Sequence, residues 1–340
     1  MFEKIVCPAA EQYPRNSEGD IIELKDGSLL LAWSEFYGGH GDGEPAQISG
    51  KRSTDGGQTW GEKFILQKNV GDCNVMSVSL LRSQSGDILF FYLVKNSWMD
   101  LKVMMRRSSD EGKTWSEPVQ VSSKLGYNVM NNARVIQLKS GRLLAPVAHS
   151  ARASSEDIST VFCYISDDDG HTWRKGMGET GFEEALSQEP GLIERKDGSV
   201  LMIIRTALDY IYYAESKDGG ESWGKPYPST LVSPLSPASI ARIPKTNDLV
   251  IIWNNNSDGG KATWAERTPL TAAISKDDGV TWENIKNIEN DPNYCYAYTS
   301  ITFIGDQTFL TYYYWEKSAI DHFAGTALKL KVLPTEWFYY

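Results

Sequence analysis

An eight-residue pattern, Ser-x-Asp-x-Gly-x-Thr-Trp, occurs five times in the chain, once with Ser222 in place of Thr. Its closing tryptophans recur at intervals of about 50 to 60 residues, and a fixed period of that size is typical of repeat architectures such as propellers. One copy, SDDDGHTW, looks like half of a calcium loop, but such a loop needs more alternating oxygen ligands and a closing Glu. The copies lie at 53–60, 108–115, 166–173, 216–223 and 275–282.

The residues of this box suit a structural turn better than a functional site. Its Asp can accept hydrogen bonds from backbone N–H groups within the turn, while the Trp covers the adjacent hairpin. A functional site cannot be copied five times around a ring. We therefore expect the chemistry to lie in residues that differ between the repeats.

A second repeat separates the boxes and consists of an apolar strand, a short polar turn and another apolar strand. Turns such as Asp26-Gly27 between β-rich segments are strong hairpin signals. With the strand that ends in each box, the pattern predicts an all-β fold: one six-bladed β-propeller domain over 1–340, with four-stranded antiparallel blades. We expect the N-terminal strand to pair with 325–334 and close the ring. The six hairpins lie at 20–34, 79–94, 133–148, 191–206, 239–254 and 300–315.

Composition and charge exclude several classes of function. The chain has 340 residues and a formal net charge of −10, which argues against a nucleic-acid partner. It has no run of about 18 apolar residues that could span a membrane, and its start lacks the apolar region of a signal peptide. Four widely spaced cysteines indicate neither a metal site nor a disulfide framework. We expect a cytoplasmic protein with reduced thiols and no cofactor.

Boxes and hairpins in this order resemble those of the sialidase (neuraminidase) superfamily, whose six-bladed propellers carry these Asp boxes, or BNR repeats. The segment SQEPGLIERKDGSVLMIIRT is similar to a sialidase segment in which a Glu precedes a hairpin and an Arg ends it, the places of Glu189 and Arg205. Arg267 stands eight residues before the box serine Ser275, where the family carries another substrate arginine. The segment YAYTSITFIGDQTF resembles the family's Tyr-Ser-x-Leu segment and points to Tyr298.

The first repeat supplies two further matches. Where the family usually has Arg-Ile-Pro before its first hairpin, this chain reads YPRNSEGDIIELKDG, and Arg15 is the matching arginine. The acid Asp of the family lies in a loop before the first box, and the glycine-rich loop FYGGHGDGEPAQISGKRS offers Asp42, with Glu44 as the alternative.

Polar residues before the third hairpin, in YNVMNNARVIQL, occupy a position from which inner strands face a propeller channel. Asn131, Asn132 and Arg134 are therefore candidates for contacts with a glycerol chain, an N-acyl group or a second sugar. An Asn-Asn pair can instead form a turn. Asn74 has the same position before the second hairpin.

The resemblance implies a mechanism that fits the chemistry of these residue types. Sialic acid carries a carboxylate on its anomeric carbon, which would repel a carboxylate nucleophile, and a neutral Tyr is the known exception among glycosidases. Tyr298 would attack, Glu189 would take its proton and Asp42 would protonate the leaving oxygen. The substrate carboxylate would be bound by guanidinium groups, which suit it geometrically. Those groups would come from Arg15, Arg205 and Arg267.

The sequence thus predicts an exo-acting, retaining glycoside hydrolase that releases a terminal sialic acid or a related 2-keto sugar acid. Its partner would be an acidic glycan or a sugar-acid glycoside. One alternative is a sialidase-like hydrolase or lyase that acts on another acidic sugar. Another is a non-catalytic glycan-binding propeller, although a lectin has no need for a nucleophile with a base.

Overall fold

The structure is a computed structural model that describes residues 1–153, 159–257, 259, 267–318 and 323–340. The described residues form an all-β fold with one 3-10 helix, Thr335–Tyr339. Among these residues, no helix is long and apolar enough to cross a membrane. The strands are β1 (Phe2–Cys7), β2 (Arg15–Glu23), β3 (Leu29–Phe36), β4 (Ala46–Ser53), β5 (Phe64–Gln67), β6 (Asn74–Arg82), β7 (Ile88–Ser97), β8 (Asp100–Ser108), β9 (Val119–Gln120), β10 (Tyr127–Val129), β11 (Ile136–Gln137), β12 (Leu143–Ser150), β13 (Thr160–Ser166), β14 (Arg174–Lys175), β15 (Thr180–Gly181), β16 (Gln188–Glu194), β17 (Val200–Arg205), β18 (Tyr210–Ser216), β19 (Tyr227–Val232), β20 (Ser239–Arg242), β21 (Leu249–Asn254), β22 (Leu270–Ser275), β23 (Glu283–Glu289), β24 (Tyr294–Ile304), β25 (Gln307–Glu316) and β26 (Ala327–Pro334).

Four antiparallel sheets of four strands each follow the predicted unit of a hairpin plus outer strands. Their strand orders are β2-β3-β4-β5, β16-β17-β18-β19, β20-β21-β22-β23 and β24-β25-β26-β1. The last sheet joins the two ends of the chain, because β1 pairs antiparallel with β26, with Phe2 opposite Val332. The expected pairing of the N-terminal strand with 325–334 is confirmed.

The second and third hairpins depart from the expectation of separate four-stranded units. They lie in one ten-stranded sheet, because β10 pairs antiparallel with β12 and parallel with β8 through Tyr127 and Leu101. The strand before the third hairpin is divided into β10 and β11, and both pieces pair with β12. The free edge of β10 then reaches β8 and bridges the two hairpins.

The box turns close by local hydrogen bonds, which agrees with their interpretation as scaffold. In the first box, Ser53 Oγ lies 2.9 Å from Asp55 Oδ1 and accepts from Gly57 N at 2.9 Å. Asp55 also accepts from the backbone and the hydroxyl of Thr59, and these bonds hold its pKa at about 2. The other four boxes repeat the Ser–Asp and Gly–Ser contacts at 2.7–2.8 Å.

The core lies between neighbouring sheets. One apolar cluster, for example, joins side chains of β21 and β22 with side chains of β24 and β25. The first strands of the hairpins contact one another: β2 lies against β6 and β24, and β20 lies against β16 and β24. Hydrogen bonds support these contacts, such as Leu80 N to Asp20 Oδ2 at 2.8 Å. Side chains from distant parts of the sequence therefore meet along these strands.

Candidate functional site

Bulges occur in four of these first strands, β2, β6, β16 and β24, and in three of them the backbone turns at residues that face the site. The pairing register shifts between Ser17 and Asp20 in β2, between Gln188 and Gly191 in β16, and between Ala297 and Ser300 in β24. Each bulge holds a residue in the left-handed region, a conformation that costs a non-glycine residue free energy and that clusters at functional sites. These residues are Glu18 (φ 56°), Glu189 (φ 41°) and Tyr298 (φ 57°).

Two of the three left-handed residues contact each other. Tyr298 donates its hydroxyl to Glu189 Oε1 at 2.8 Å, across 109 positions of sequence. The other carboxylate oxygen of Glu189 accepts from Arg205 Nη1. All three side chains are buried, and burial raises the pKa of Tyr298 well above its ordinary value, with the Glu189 charge acting in the same direction. The Tyr298 hydroxyl is therefore neutral, and its proton points at a carboxylate.

Arg267 also lies close to Tyr298. Its guanidinium carbon is 5.6 Å from the centre of the Tyr298 ring, and Nη1 donates to the Tyr313 hydroxyl. Nη2 is 3.5 Å from the carbonyl oxygen of Leu235, which also accepts from Arg205 Nη2 at 3.3 Å. The two guanidinium groups therefore share one carbonyl oxygen beside the Tyr298–Glu189 pair.

Arg15 and Asp42 are brought together as an ion pair. Arg15 Nη1 donates to Asp42 Oδ1 at 2.6 Å and to the His40 carbonyl oxygen at 3.1 Å. The guanidinium lies between two aromatic rings, 4.3 Å from the centre of Phe36 and 4.0 Å from that of Phe323. Arg15 is fully buried, whereas the Asp42 side chain is 43% exposed. Asp42 thus occupies the solvent side of the site.

Two buried polar side chains hold the loop that carries Asp42. Asn74 donates to the carbonyl oxygens of Asp42 and Glu44, both at 2.9 Å, and Lys95 Nζ donates to the carbonyl oxygen of Asp42 at 2.9 Å. Lys95 also lies 3.2 Å from the ring centre of Trp98, and burial lowers the pKa of this lysine to about 8. Asn74 and Lys95 therefore hold the backbone of the loop that carries Asp42. Glu44, the alternative acid, is the more exposed residue.

The residues before the third hairpin divide into two roles. Asn132 donates to the carbonyl oxygens of Gly19 and Tyr298 at 2.8 and 2.9 Å, so its amide ties two bulges together. Asn131 accepts from Arg134 Nε, and its own buried amide nitrogen has no hydrogen-bond partner among the described residues. A buried, unsatisfied donor of this kind costs free energy unless a ligand or water accepts from it.

Arg134 is a buried cation next to the Tyr298–Glu189 pair. It donates to the Ala238 carbonyl oxygen at 2.7 Å and has no carboxylate within ion-pair distance in the described part of the chain. Burial lowers its pKa to about 10, although Glu189 acts in the opposite direction. An added Cβ at Gly191 would lie 3.1 Å from Arg134 Nη1, so the glycine makes room for this guanidinium.

The charges of these side chains favour an anionic ligand. Four guanidinium groups face three carboxylates, and all but Asp42 are buried. At least one positive charge is left over, and burial of an uncompensated charge is costly. A ligand carboxylate would neutralise it. The four are Arg15, Arg134, Arg205 and Arg267, and the three are Glu18, Asp42 and Glu189.

Sequence reasoning missed Glu18 and Lys95. Glu18 stands eight residues before Asp26 of the first hairpin turn, and Glu189 stands eight residues before Asp197 of the fourth. Aligning the hairpins on their turns would have placed the two glutamates at the same position. Lys95 lies in the apolar run of β7, where no local pattern distinguishes a buried lysine near a site from one that reaches solvent.

Comparison with known proteins gives a family match over most of the chain. A model of the BNR repeat-like domain family matches residues 27–310. A sialidase of Bacteroides fragilis (strain YCH46) is 24% identical over 357 residues, covering 92% of this chain and 61% of that protein. A sialidase of Micromonospora viridifaciens is 27% identical over 341 residues, covering 88% of this chain and 50% of that protein. The chain therefore spans about half to three-fifths of these relatives' length.

Solved structures show the same fold. The intramolecular trans-sialidase from Ruminococcus gnavus, in complex with oseltamivir carboxylate, superposes with a TM-score of 0.77 at 16% sequence identity. The match covers 99% of this chain and 98% of that one. At this identity the likeness concerns the fold, which is similar to sialidase β-propellers and agrees with the all-β expectation. The chain belongs to the BNR repeat-like domain family of the sialidase superfamily.

Proposed function

We propose that this protein is an exo-acting, retaining glycosidase that releases a terminal sialic acid or a related 2-keto sugar acid. The observation that carries the proposal is the 2.8 Å hydrogen bond from Tyr298 to Glu189, close to the guanidinium groups of Arg205 and Arg267. A glycan-binding protein without activity needs no nucleophile that is bonded to a base. The sialidase names of the relatives support the same class of substrate.

The proposed reaction uses the site as follows. Arg15, Arg205 and Arg267 bind the substrate carboxylate, and Arg205 also orients Glu189 through their ion pair. The Tyr298 oxygen forms a bond to the anomeric carbon as its proton moves to Glu189, and the bond from that carbon to the glycosidic oxygen breaks. Asp42 gives a proton to the departing oxygen.

A second half-reaction completes the cycle. Water attacks the glycosyl-tyrosine, Asp42 takes a proton from that water, and Tyr298 leaves with a proton from Glu189. Two displacements at one carbon retain its configuration. Asp42 suits the acid and base role because its half-exposed side chain faces the side where the leaving group and the water enter. In this proposal, ligand binding to Arg15 releases Asp42 from its ion pair.

We also propose that the sheets form a six-bladed propeller in one domain. Four sheets with one hairpin each, and a ten-stranded sheet with two, account for six hairpins. The contacts among their first strands support an arrangement around a common axis.

Transfer within the substrate is the second candidate, because the Ruminococcus relative in fold is an intramolecular trans-sialidase. In that case a hydroxyl of the bound sugar, and not water, would attack the glycosyl-tyrosine. A lyase or hydrolase for another acidic sugar is the third candidate.

One assay separates these functions. Purified protein is incubated with aryl α-sialosides, the corresponding Kdo glycosides and a panel of aryl uronides, and the products are followed by proton NMR. We expect release of the aryl alcohol with the free sugar acid formed first in its original anomeric configuration. An anhydro sugar would identify intramolecular transfer, and an unsaturated sugar would identify a lyase. Binding of these compounds without any turnover would contradict an enzymatic function.

A further inference from the structure

Glu18 occupies the same structural position in β2 as Glu189 in β16 and Tyr298 in β24. All three lie in the left-handed region within a bulge of a first strand. Two of these bulges hold Glu189 and Tyr298, whose side chains meet at the centre of the site. The third holds Glu18, whose side chain is 3% exposed and lies beside Arg15.

Glu18 has few partners for a buried carboxylate. Ser34 Oγ donates to its Oε2 at 3.2 Å, and its Oε1 is 3.8 Å from Arg15 Nη2, beyond hydrogen-bond distance. The other donors of Arg15 are engaged, since Nε donates to Ser17 and Nη1 donates to Asp42. Arg15 thus faces two carboxylates and neutralises one of them. A buried carboxylate in this situation favours the neutral acid.

The surroundings of Glu18 support that conclusion. Burial raises its pKa to about 7, Asp42 and Glu189 act in the same direction, and Arg15 opposes them. Lys95 and Tyr127 also face it, since its charge acts on the pKa of each. The side chain therefore changes its protonation state near neutral pH, next to the residues that would bind the substrate anion.

We propose that Glu18 is a specificity-determining residue of this site, which contacts an anionic ligand as the neutral carboxylic acid and takes up one proton from solvent when that ligand binds. This inference rests on the proposed function, because it assumes an anionic sugar between Arg15 and Arg267. An ionised Glu18 would repel the ligand carboxylate. The neutral acid removes that repulsion, donates a hydrogen bond and leaves Arg15 Nη2 for the ligand.

The proton uptake can be measured without turnover. Binding of the unsaturated sialic acid analogue DANA to the full chain is followed by calorimetry at about pH 7.5, in two buffers that differ in ionisation enthalpy. We expect uptake of up to about three-quarters of a proton per ligand at this pH, and an affinity that falls by up to about tenfold per pH unit between about pH 7 and pH 8.5. In Glu18→Gln both the uptake and that decline should disappear.

Two variants serve as controls. Glu35→Gln changes another buried carboxylate, which accepts from Ser49 at 2.7 Å and pairs with Lys63 at 2.7 Å, and it should leave the proton uptake unchanged. Lys95→Met removes another group near Glu18 whose pKa lies in this range, at about 8, and the uptake should persist in it.

One result would contradict the role of Glu18 alone, and another would contradict the proposed function. If DANA binds to the parent and to Glu18→Gln with the same pH dependence and without proton uptake, Glu18 has no such role and the proposed function stands. If neither DANA nor any sugar acid from the substrate panel binds the parent protein, the proposed function is wrong and this inference falls with it. Thermal unfolding of each variant shows whether it is folded.

Discussion

Replacement of Tyr298 by phenylalanine removes one oxygen and leaves the ring in place. The ring would keep its contact with Tyr313, whose centre is 5.2 Å away, and the backbone would keep its left-handed conformation. Among the residues that the structure describes, the one hydrogen bond lost is the 2.8 Å donation to Glu189. A hydrogen bond to a charged group is worth about 1.5 to 3 kcal/mol, so we expect a decrease of that size or less in the free energy of unfolding.

Activity should fall much further than stability. No leaving group, however good, replaces a missing nucleophile, so turnover of both aryl and natural sialosides should fall by at least about a thousandfold. Urea unfolding and steady-state kinetics measure the two effects. The matched control is Tyr296→Phe, because Tyr296 lies on the same strand but packs against Tyr312 and Tyr314 in the core. That variant should keep near-parental activity.

Covalent trapping tests directly whether Tyr298 is the nucleophile. A fluorinated 2-keto sugar should label Tyr298 in the parent protein, as mass spectrometry of the labelled peptide would show. Retention of more than about a tenth of the activity in Tyr298→Phe would contradict the assignment, and so would a label on a carboxylate or on Tyr296.

Three further predictions concern the surrounding residues. Arg267→Lys keeps the charge but loses the planar fork, so kcat/KM should fall by roughly ten- to a hundredfold, and unchanged kinetics would remove Arg267 from the site. Asp42→Ala should reduce turnover of natural sialosides strongly and spare an activated aryl glycoside, and equal losses on both would contradict an acid role. The raised pKa of Glu18 stabilises the fold below about pH 4.5, and that stability is lost as pH rises through about 7. As pH rises from about 5 to about 8, the free energy of unfolding of Glu18→Gln should therefore increase by up to about 3 kcal/mol relative to that of the parent. Urea unfolding without ligand measures this difference, and a difference that stays constant across that range would be evidence against the assignment.

Much of the fold could be predicted because its signals are local. Each box closes within a few residues, as in the bond from Thr59 N to Asp55 Oδ1 at 2.8 Å, so the motif predicts its own turn. The hairpin turns and apolar strands are equally local. The pairing of β1 with β26 was expected because the outer strand after the sixth hairpin had no other partner in the sequence pattern. The bridge from β10 to β8 was not predictable, because one pair of residues in a short strand leaves no periodic pattern.

Part of the candidate site could also be predicted from the sequence. The resemblance to sialidases pointed to Tyr298, Glu189 and Arg205, and the structure brings these three side chains into contact. Their catalytic roles stay predictions. The resemblance assigned Arg15 to the substrate carboxylate and Asp42 to the leaving group, without any sign that the two side chains form an ion pair.

The sequence by itself determined the repeats, the strands, the turns and the types of residue available for chemistry, because each depends on neighbours within about one hairpin. The tertiary structure alone decided which side chains meet. The bulges of β2, β16 and β24 aim Glu18, Glu189 and Tyr298 at one region, and the amide of Asn132 fixes two of these bulges across 113 and 166 positions of sequence. Burial in that region, and not the identity of the residue, makes Glu18 a proton acceptor near neutral pH, since desolvation is a property of the assembled sheets.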